Sequence, residues 1–484
     1  MNQYRPIDDP QAVESFYHLH EAPAAGRACR GMACFAARHR NEVAFQRAEQ
    51  DQHPIYCLGQ CYAAPAVAGS EKSCDVRLAA RQPTLLENVL NGPVRKLDDY
   101  LRKGGGASLE QGRLMQPDAL IKIMEDSGLR GRGGAGFAAG RKWRAVREAA
   151  LQSGRSIVVV NADEGDPGAF SDKVLLEDDP FRLLESAAIA AYAVGAREVI
   201  IYLRCEYQAA AEIMQQAISQ AQAADWPGGI TYHLHSGHGS FVCGEETSLL
   251  NSLERRRPFV RTRPPYPFQH GLHGQPTLVH NVETLCAVPW IVQHGAAAYR
   301  DLGVDDSAGT KLISLNSLFH RPGLVEVPFG ISVRTIVEDI GGGPRDEPFW
   351  GVMIGGPLAG VLPPSVWDVP FAYRDLARVK GSVGHGGIVA FDSHTKLGSL
   401  MREVFLFGAN ESCGWCVPCH QGLNELSAAF AGDRLEGPIL SRSRWSELVA
   451  ALEMTSVCGH GRGLADFAYA IELHYSQELT AWLQ

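Results

Sequence analysis

Uninterrupted apolar stretches are missing from this chain. No uncharged run approaches the ~18 residues that a membrane-spanning helix needs, and even the alanine-rich 183–203 region carries Glu185, Arg197 and Glu198. Excess positive charge is missing too. Against 54 Asp and Glu stand 45 Lys and Arg, a formal charge of −9, which argues against a broad nucleic-acid surface. The opening residues Met1–Pro6 begin a polar stretch with no apolar signal core, so the expectation is a cytoplasmic protein without a membrane span. In a reducing compartment twelve cysteines serve metals rather than disulfides. A length of 484 residues with 45% apolar content predicts about three or four domains with buried cores.

What is present is a pattern in those cysteines. Cys413, Cys416 and Cys419 are spaced C-x2-C-x2-C, with Cys458 far behind them. A tight thiolate triplet closed by one distant cysteine meets the ligand demand of a cubane iron–sulfur cluster. Zinc, although it more often takes two separated pairs, and coincidental spacing are the alternatives. Nearer the N-terminus, Cys29 and Cys34 (C-x4-C) and Cys57 and Cys61 (C-x3-C) offer four thiolates in two loops. That is the demand of a 2Fe–2S cluster, with a zinc site or a cluster-free remnant as alternatives. Cys74, Cys205, Cys243 and Cys286 lack paired spacing and read as small buried hydrophobes. His233, His235 and His238 have no carboxylate or cysteine at ligand spacing, so they read as a strand edge rather than a metal site.

A helical pattern over 117–127 leads into Gly128–Phe137, where Gly131, Gly133 and Gly136 fit G-x-G-x-x-G. A dinucleotide fingerprint follows a strand and opens a helix. Here a helix precedes the glycines and the clear strand, Ile157–Val160, comes afterwards, so the standard Rossmann reading fails on context. The glycines still let backbone N–H groups approach a phosphate or flavin closely; the plainer alternative is a tight turn. Asn161, Asp163, Glu164 and Asp166 follow the strand, and Glu245-Glu246 follow Gly244. Carboxylates accept from ribose hydroxyls, and the Asn161 and Asn281 amides suit a flavin's polar edge. Taken singly, each carboxylate reads as a solvated surface group. A helix across 180–194 and a strand Val199–Leu203 imply a parallel sheet with helical crossovers. Arg263–Pro267 reads as an extended surface loop. Short strands (312–315, 352–354, 388–391) between glycine clusters suggest a small β-rich or α+β domain, and the chain turns helical from about 396.

Five strings occur in order: GLRGRGGAGF (128–137), NADEGDPG (161–168), CGEET (243–247), NVET (281–284) and ESCGWCVPC (411–419). Over about residues 85–484 the chain resembles the flavin-containing NADH-oxidising subunit of respiratory complex I. It also resembles the diaphorase subunits of NAD-linked nickel–iron hydrogenases and soluble formate dehydrogenases. The resemblance implies a multidomain α/β architecture: a Rossmann-like FMN/NADH domain (85–310), a ubiquitin-like β-grasp domain (311–395) and a C-terminal helical bundle with a 4Fe–4S cluster (396–484). The CLGQC string (57–61) is similar to the family's thioredoxin-like 2Fe–2S domain, here expected over 1–84.

Carried over by position, Gly131, Gly133, Gly134, Lys142, Asn161, Asp163, Glu245 and Asn281 fall where the family holds FMN. Gly244 and Thr284 lie in the same matching strings. Phe137, Glu246 and Asp166 fall at NAD(H) contacts, although the family usually has glutamate at the last. Phe241 replaces a common tyrosine, Arg263 a common lysine with Tyr266 beside it, and His280 precedes Asn281 where two asparagines are frequent. The implied activity is NADH dehydrogenase-type electron transfer between NAD(H), FMN and the clusters. Hydride passes directly between nicotinamide and flavin, so no side chain is expected to be catalytic. Implied partners are iron–sulfur subunits and a separate molybdenum, tungsten or nickel–iron catalytic chain, formate dehydrogenase being the preferred assembly. The competing class is a non-catalytic electron-relay or scaffold subunit.

Overall fold

A computed structural model describes residues 17, 19, 21–430 and 440–483. Ten strands are found among them: β1 (Val76–Leu78), β2 (Ile157–Ala162), β3 (Glu198–Leu203), β4 (Thr231–Ser236), β5 (Thr277–Asn281), β6 (Thr310–Leu315), β7 (Gly323–Pro328), β8 (Gly351–Ile354), β9 (Val361–Leu362) and β10 (Gly387–Phe391). They make one four-stranded and one six-stranded sheet, and the chain divides into two compact units.

The first unit takes residues up to 24, then 80–165 and 171–310. Its sheet runs β4-β3-β2-β5 with every neighbouring pair parallel. Ile157–Val160 forms the buried start of β2, as a continuous β-branched run does in a sheet covered on both faces. The helix Pro180–Val194 starts at proline and ends at Gly195, whose φ of 80° provides the left-handed stop. Glu185 is buried within that helix. Its carboxylate accepts from the Tyr100 hydroxyl (2.5 Å) and from the N–H groups of Gly106 (2.7 Å) and Leu109 (3.0 Å), so the charge is compensated where it sits.

Topology locates the ligand crevice. From β2 the chain steps outward to β3 and β4, whereas β5 returns on the other side of β2. In an open α/β sheet, that reversal opens a crevice at the carboxyl ends of the two strands. Asn161 and Asn281 stand opposite each other in register at those ends.

The second unit takes 25–79, 166–170 and 311–484. Its sheet runs β1-β7-β6-β10-β8-β9, with β10 parallel to β6 and antiparallel to β8. The cysteine segment, residues 25–79, is part of this unit. Its one strand among the described residues, β1, pairs in parallel with β7, Val76 opposite Leu324. Three residues cannot make a sheet alone, and the edge of β7 supplies the missing partner. Residues 1–16 of the expected 1–84 domain lie outside the described residues. The C-terminal helices include Leu397–Asn410, Leu423–Ala429, Arg442–Thr455 and Gly459–His474. Phe405 joins them through edge contacts with Trp445 and Phe467. Among the described residues, no helix is long and apolar enough to cross a membrane.

Helix Ala139–Ser153 packs on helix Pro117–Asp126 through Gly140, where an added Cβ would lie 2.5 Å from Glu125 Cα. Gly140→Ala is expected to cost about 1–3 kcal/mol through overpacking, measured by urea unfolding. A loss below about 0.5 kcal/mol, the ordinary range for surface changes, would contradict this packing.

Candidate functional site

Four segments of the first unit meet around the β2/β5 crevice. The glycine loop is closed by Gly131 N–H donating to Phe137 O (2.8 Å). Gly134 adopts φ 112° with nothing within 4 Å of an added Cβ, and at Gly133 a Cβ would come within 3.0 Å of the Asn281 Cβ. The loop is thus a concavity that side chains would fill. Arg132 points away from it, buried, donating to the Tyr299 hydroxyl (2.9 Å) and Ala308 O (2.8 Å). Its backbone N–H donates to Thr284 Oγ1 (2.8 Å), which fixes the loop to the helix Val282–Cys286 after β5.

The Asn161 amide donates to Gly244 O (2.7 Å), and its Oδ1 accepts from Asp163 N–H (3.1 Å). The turn after β2 is thereby tied to the segment carrying Glu245 and Glu246. Phe241 lies over Gly165, where a Cβ would meet its ring at 2.9 Å. Glu245 caps the helix Glu246–Leu253, accepting from Thr247 N–H (2.9 Å) and Ser248 N–H (3.0 Å). Lys142 donates to Glu246 Oε2 (2.9 Å) and Val279 O (3.1 Å). Arg263 pairs with Glu245 and reaches Glu246 at 3.3 Å. Burial opposes ionisation of Glu246, but Lys142 and then Arg263 hold its carboxyl below the ordinary range. Phe137 is 56% exposed; Tyr266, also exposed, stacks on Phe268.

Asp166 is the expected cofactor-binding residue that falls in the second unit. There it packs against Gly356, and burial raises its carboxyl to about 6 despite the His385 and Lys311 charges.

The second unit also gathers both cysteine sets. Cys29, Cys34, Cys57 and Cys61 are all buried. Cys57 and Cys61 sulfurs lie 3.5 Å apart. Backbone N–H groups of Gly31, Gly59 and Ala66 each donate at 3.3 Å to the sulfurs of Cys29, Cys57 and Cys34. A hydrogen bond from Cys34 lowers the Cys29 thiol to about 7. Buried sulfurs receiving backbone N–H bonds match the donor set of an iron–sulfur cluster, whose potential such bonds tune. In the other set Cys413, Cys419 and Cys458 are buried and Cys416 half-buried. Ser412 Oγ lies 3.3 Å from Cys419 Sγ, and a hydrogen bond from Cys419 lowers the Cys416 thiol to about 5. Cys29 and Cys416 are thereby shifted toward the thiolate, the form a metal binds, while a neighbouring sulfur and burial push Cys34, Cys61 and Cys419 up.

The model of the Nuo51 FMN-binding domain matches residues 124–290, and that of the NADH-ubiquinone oxidoreductase-F iron-sulfur binding region matches 399–482. The NADH-quinone oxidoreductase F-subunit 2 of Rhizobium meliloti is 36% identical over 417 residues, 83% of this chain and 98% of that one. The chain belongs to the family of NADH-quinone oxidoreductase F-subunits. The Escherichia coli member is 39% identical over 402 residues, 80% of this chain and 90% of that one. The HndC subunit of the NADP-reducing hydrogenase of Solidesulfovibrio fructosivorans is 37% identical over 378 residues, 76% of each. A crystal structure of NAD+-reducing NiFe hydrogenase in the H2-reduced state superposes with a TM-score of 0.81 at 29% identity, over 98% of this chain and 87% of that one. The chain is therefore a flavin iron–sulfur oxidoreductase with an FMN-binding domain and a 4Fe–4S region.

Within this family frame, some residues around the site carry roles that pattern alone did not assign. Glu164 faces inward, accepting from the Asp172 and Lys173 N–H groups (3.0 and 3.1 Å) and the Tyr207 hydroxyl (3.0 Å). It is a buried cap. Asp172 accepts from the Asn281 amide at 2.5 Å; no spacing in the sequence signals it. His280 accepts from the Trp143 indole at 2.9 Å, and burial keeps it neutral. The second frequent asparagine is thus replaced by a packing residue.

The Lys142–Glu246 pair gives a pH prediction. A carboxyl held below its unfolded value of about 4.3 adds stability above that pH and loses it as pH falls through the folded value. Lys142→Met should cost on the order of 1 kcal/mol at pH 7 and less near pH 4 by urea unfolding. An equal cost at both pH values would rule the pair out as its source.

Proposed function

We propose that the chain is the NAD(H):FMN diaphorase subunit of a soluble, cytoplasmic NAD-dependent formate dehydrogenase. The observation that carries the diaphorase reading is the β2/β5 crevice, where the open glycine loop, the two register-paired asparagines and the Glu245-Glu246 pair converge. Bound FMN supplies the conversion between two-electron hydride chemistry and one-electron transfer. This chain's residues bind and orient. The amides of Gly131, Gly133 and Gly134 and the Lys142 ammonium offer donors to a phosphate. Asn161, Asp163, Glu245, Asn281 and Thr284 hold the flavin side, with Gly244 kept small beside Asp163. Phe137 and Glu246 serve the nicotinamide nucleotide, and Phe241, Arg263 and Tyr266 frame its entry.

Cys413, Cys416, Cys419 and Cys458 would hold 4Fe–4S, and Cys29, Cys34, Cys57 and Cys61 a 2Fe–2S cluster. Support for the second comes from the buried thiols and their three N–H donors. The sheet order β7-β6-β10-β8-β9 supports a β-grasp assignment for 311–395, with 85–310 as the Rossmann-like domain and 396–484 as the helical bundle. Residues 1–84 are then the thioredoxin-like 2Fe–2S domain. The fused N-terminal cysteines and the RPGLVEVPFG string (321–330) favour formate dehydrogenase over the hydrogenase and complex I alternatives. Trp415, Val417 and Val457 are exposed beside the cluster cysteines and offer an apolar rim to a redox partner chain.

Glu246→Gln is expected to raise KM for NADH about tenfold, the scale of one charge-assisted hydrogen bond; unchanged kinetics would remove Glu246 from the nucleotide site. Purified with its native partners, the complex should reduce NAD+ with formate. Reduction with hydrogen instead would assign it to the hydrogenases, and a complex inert with both, yet oxidising NADH with a quinone, to complex I.

A further inference from the structure

Two serine hydroxyls of the second unit lie against the C-terminal thiol set. Ser456 sits in the turn between the helices Arg442–Thr455 and Gly459–His474, just before Cys458, which stands at the N-terminus of the second helix. It is 2% exposed, and its Oγ has no hydrogen-bond partner among the described residues. Native proteins rarely leave such a buried group unanswered. At Gly461, in the first turn of the second helix, an added Cβ would collide with Ser456 Oγ and lie 3.4 Å from Cys419 Cβ. Glycine at that position keeps the hydroxyl and Cys419 next to each other. The turn itself is fixed: Arg462 Nε donates to Ser456 O at 3.1 Å, and the Val457 N–H donates to the Cys416 sulfur.

Ser412 approaches from the cysteine triplet. Its Oγ is 3.3 Å from Cys419 Sγ and accepts from the Gly414 N–H at 3.3 Å. A metal-bound thiolate has no proton to give, so the Ser412 hydroxyl is then the donor. Taking Cys413, Cys416, Cys419 and Cys458 as the 4Fe–4S ligands, as in the proposed function, we propose that Ser412 and Ser456 donate hydrogen bonds to the cluster's sulfurs and raise its reduction potential. The direction follows from charge. Reduction adds one electron to an already anionic set of sulfurs, and a donor aimed at sulfur stabilises the more negative state more strongly. Burial strengthens the effect at Ser456, where the local dielectric is low and the hydroxyl has no competing acceptor. Neither serine touches nucleotide or flavin in this account. They set how readily the cluster accepts an electron.

The test is an EPR-monitored redox titration of the full-length, cluster-loaded protein and of its Ser412→Ala and Ser456→Ala variants. Iron content and visible spectrum of each variant are compared with the parent, so that a loading failure is recognised. Each substitution should lower the equilibrium constant for reduction about three- to tenfold, the range of one hydrogen bond. At 59 mV per tenfold for one electron, that is a midpoint lower by about 28–59 mV. Pulsed EPR in D2O should show, at the reduced cluster, an exchangeable deuteron coupling that each variant loses; a role in packing alone would leave it in place. If Ser456→Ala fails to load, Ser412→Ala decides alone. Unchanged midpoints in loaded variants overturn the inference and leave the ligand assignment standing. A parent that holds iron but gives no 4Fe–4S signal on reduction overturns both.

Discussion

The side chain of Asn281 is the joint on which the first unit's site depends. Its Oδ1 caps the helix Val282–Cys286 by accepting from Thr284 N–H at 3.1 Å. Its amide donates to Asp172, which also accepts from the Glu283 N–H at 3.2 Å. Its Cβ sets how closely Gly133 can approach. One residue at the end of β5 therefore positions the glycine loop, the start of a helix and a buried carboxylate at once. Each partner is a backbone group or a buried polar atom, so losing the amide strands several of them without replacement.

Charge follows the same economy. Two cations, Lys142 and Arg263, meet the paired carboxylates of Glu245 and Glu246 in the first unit. Arg204, buried behind the turn after β2, pairs with Glu206 at 2.6 Å and donates to Glu164 O. The acidic turn is thus held by a compensated network rather than by solvent, which keeps its backbone geometry independent of whatever occupies the crevice. In the second unit, Arg30 and Glu403 form a buried pair, 3.2 Å apart, next to Cys29. It joins the cysteine segment to the helix Leu397–Asn410, and the Tyr56 hydroxyl adds a 2.7 Å bond from Asn410.

Much of this was legible from residue patterns. The buried run of β2, the helix over 180–194, the helix-before-glycine order that spoils a standard Rossmann fingerprint, and both cysteine sets follow from local periodicity and spacing. What was not legible depends on distance in sequence. β1 is three residues long and gains its meaning only from β7. Among the acidic residues after β2, nothing local separates Glu164, turned inward as a cap, from Asp163 near the site. Asp172 carries no motif. Asp166 sits in an unbroken string with Asp163, yet the chain changes units between them. Linear proximity misleads there because the turn leaves one core and enters another.

The central claim is that nucleotide, flavin and thiol-bound clusters form one electron-transfer chain in this protein. Its most direct test is an anaerobic absorbance titration of the purified protein with NADH. The account predicts that the flavin band and the iron–sulfur absorption bleach together. Iron–sulfur absorption that NADH leaves unchanged, with no flavin retained even after reconstitution with FMN, would contradict it and leave a relay subunit in its place.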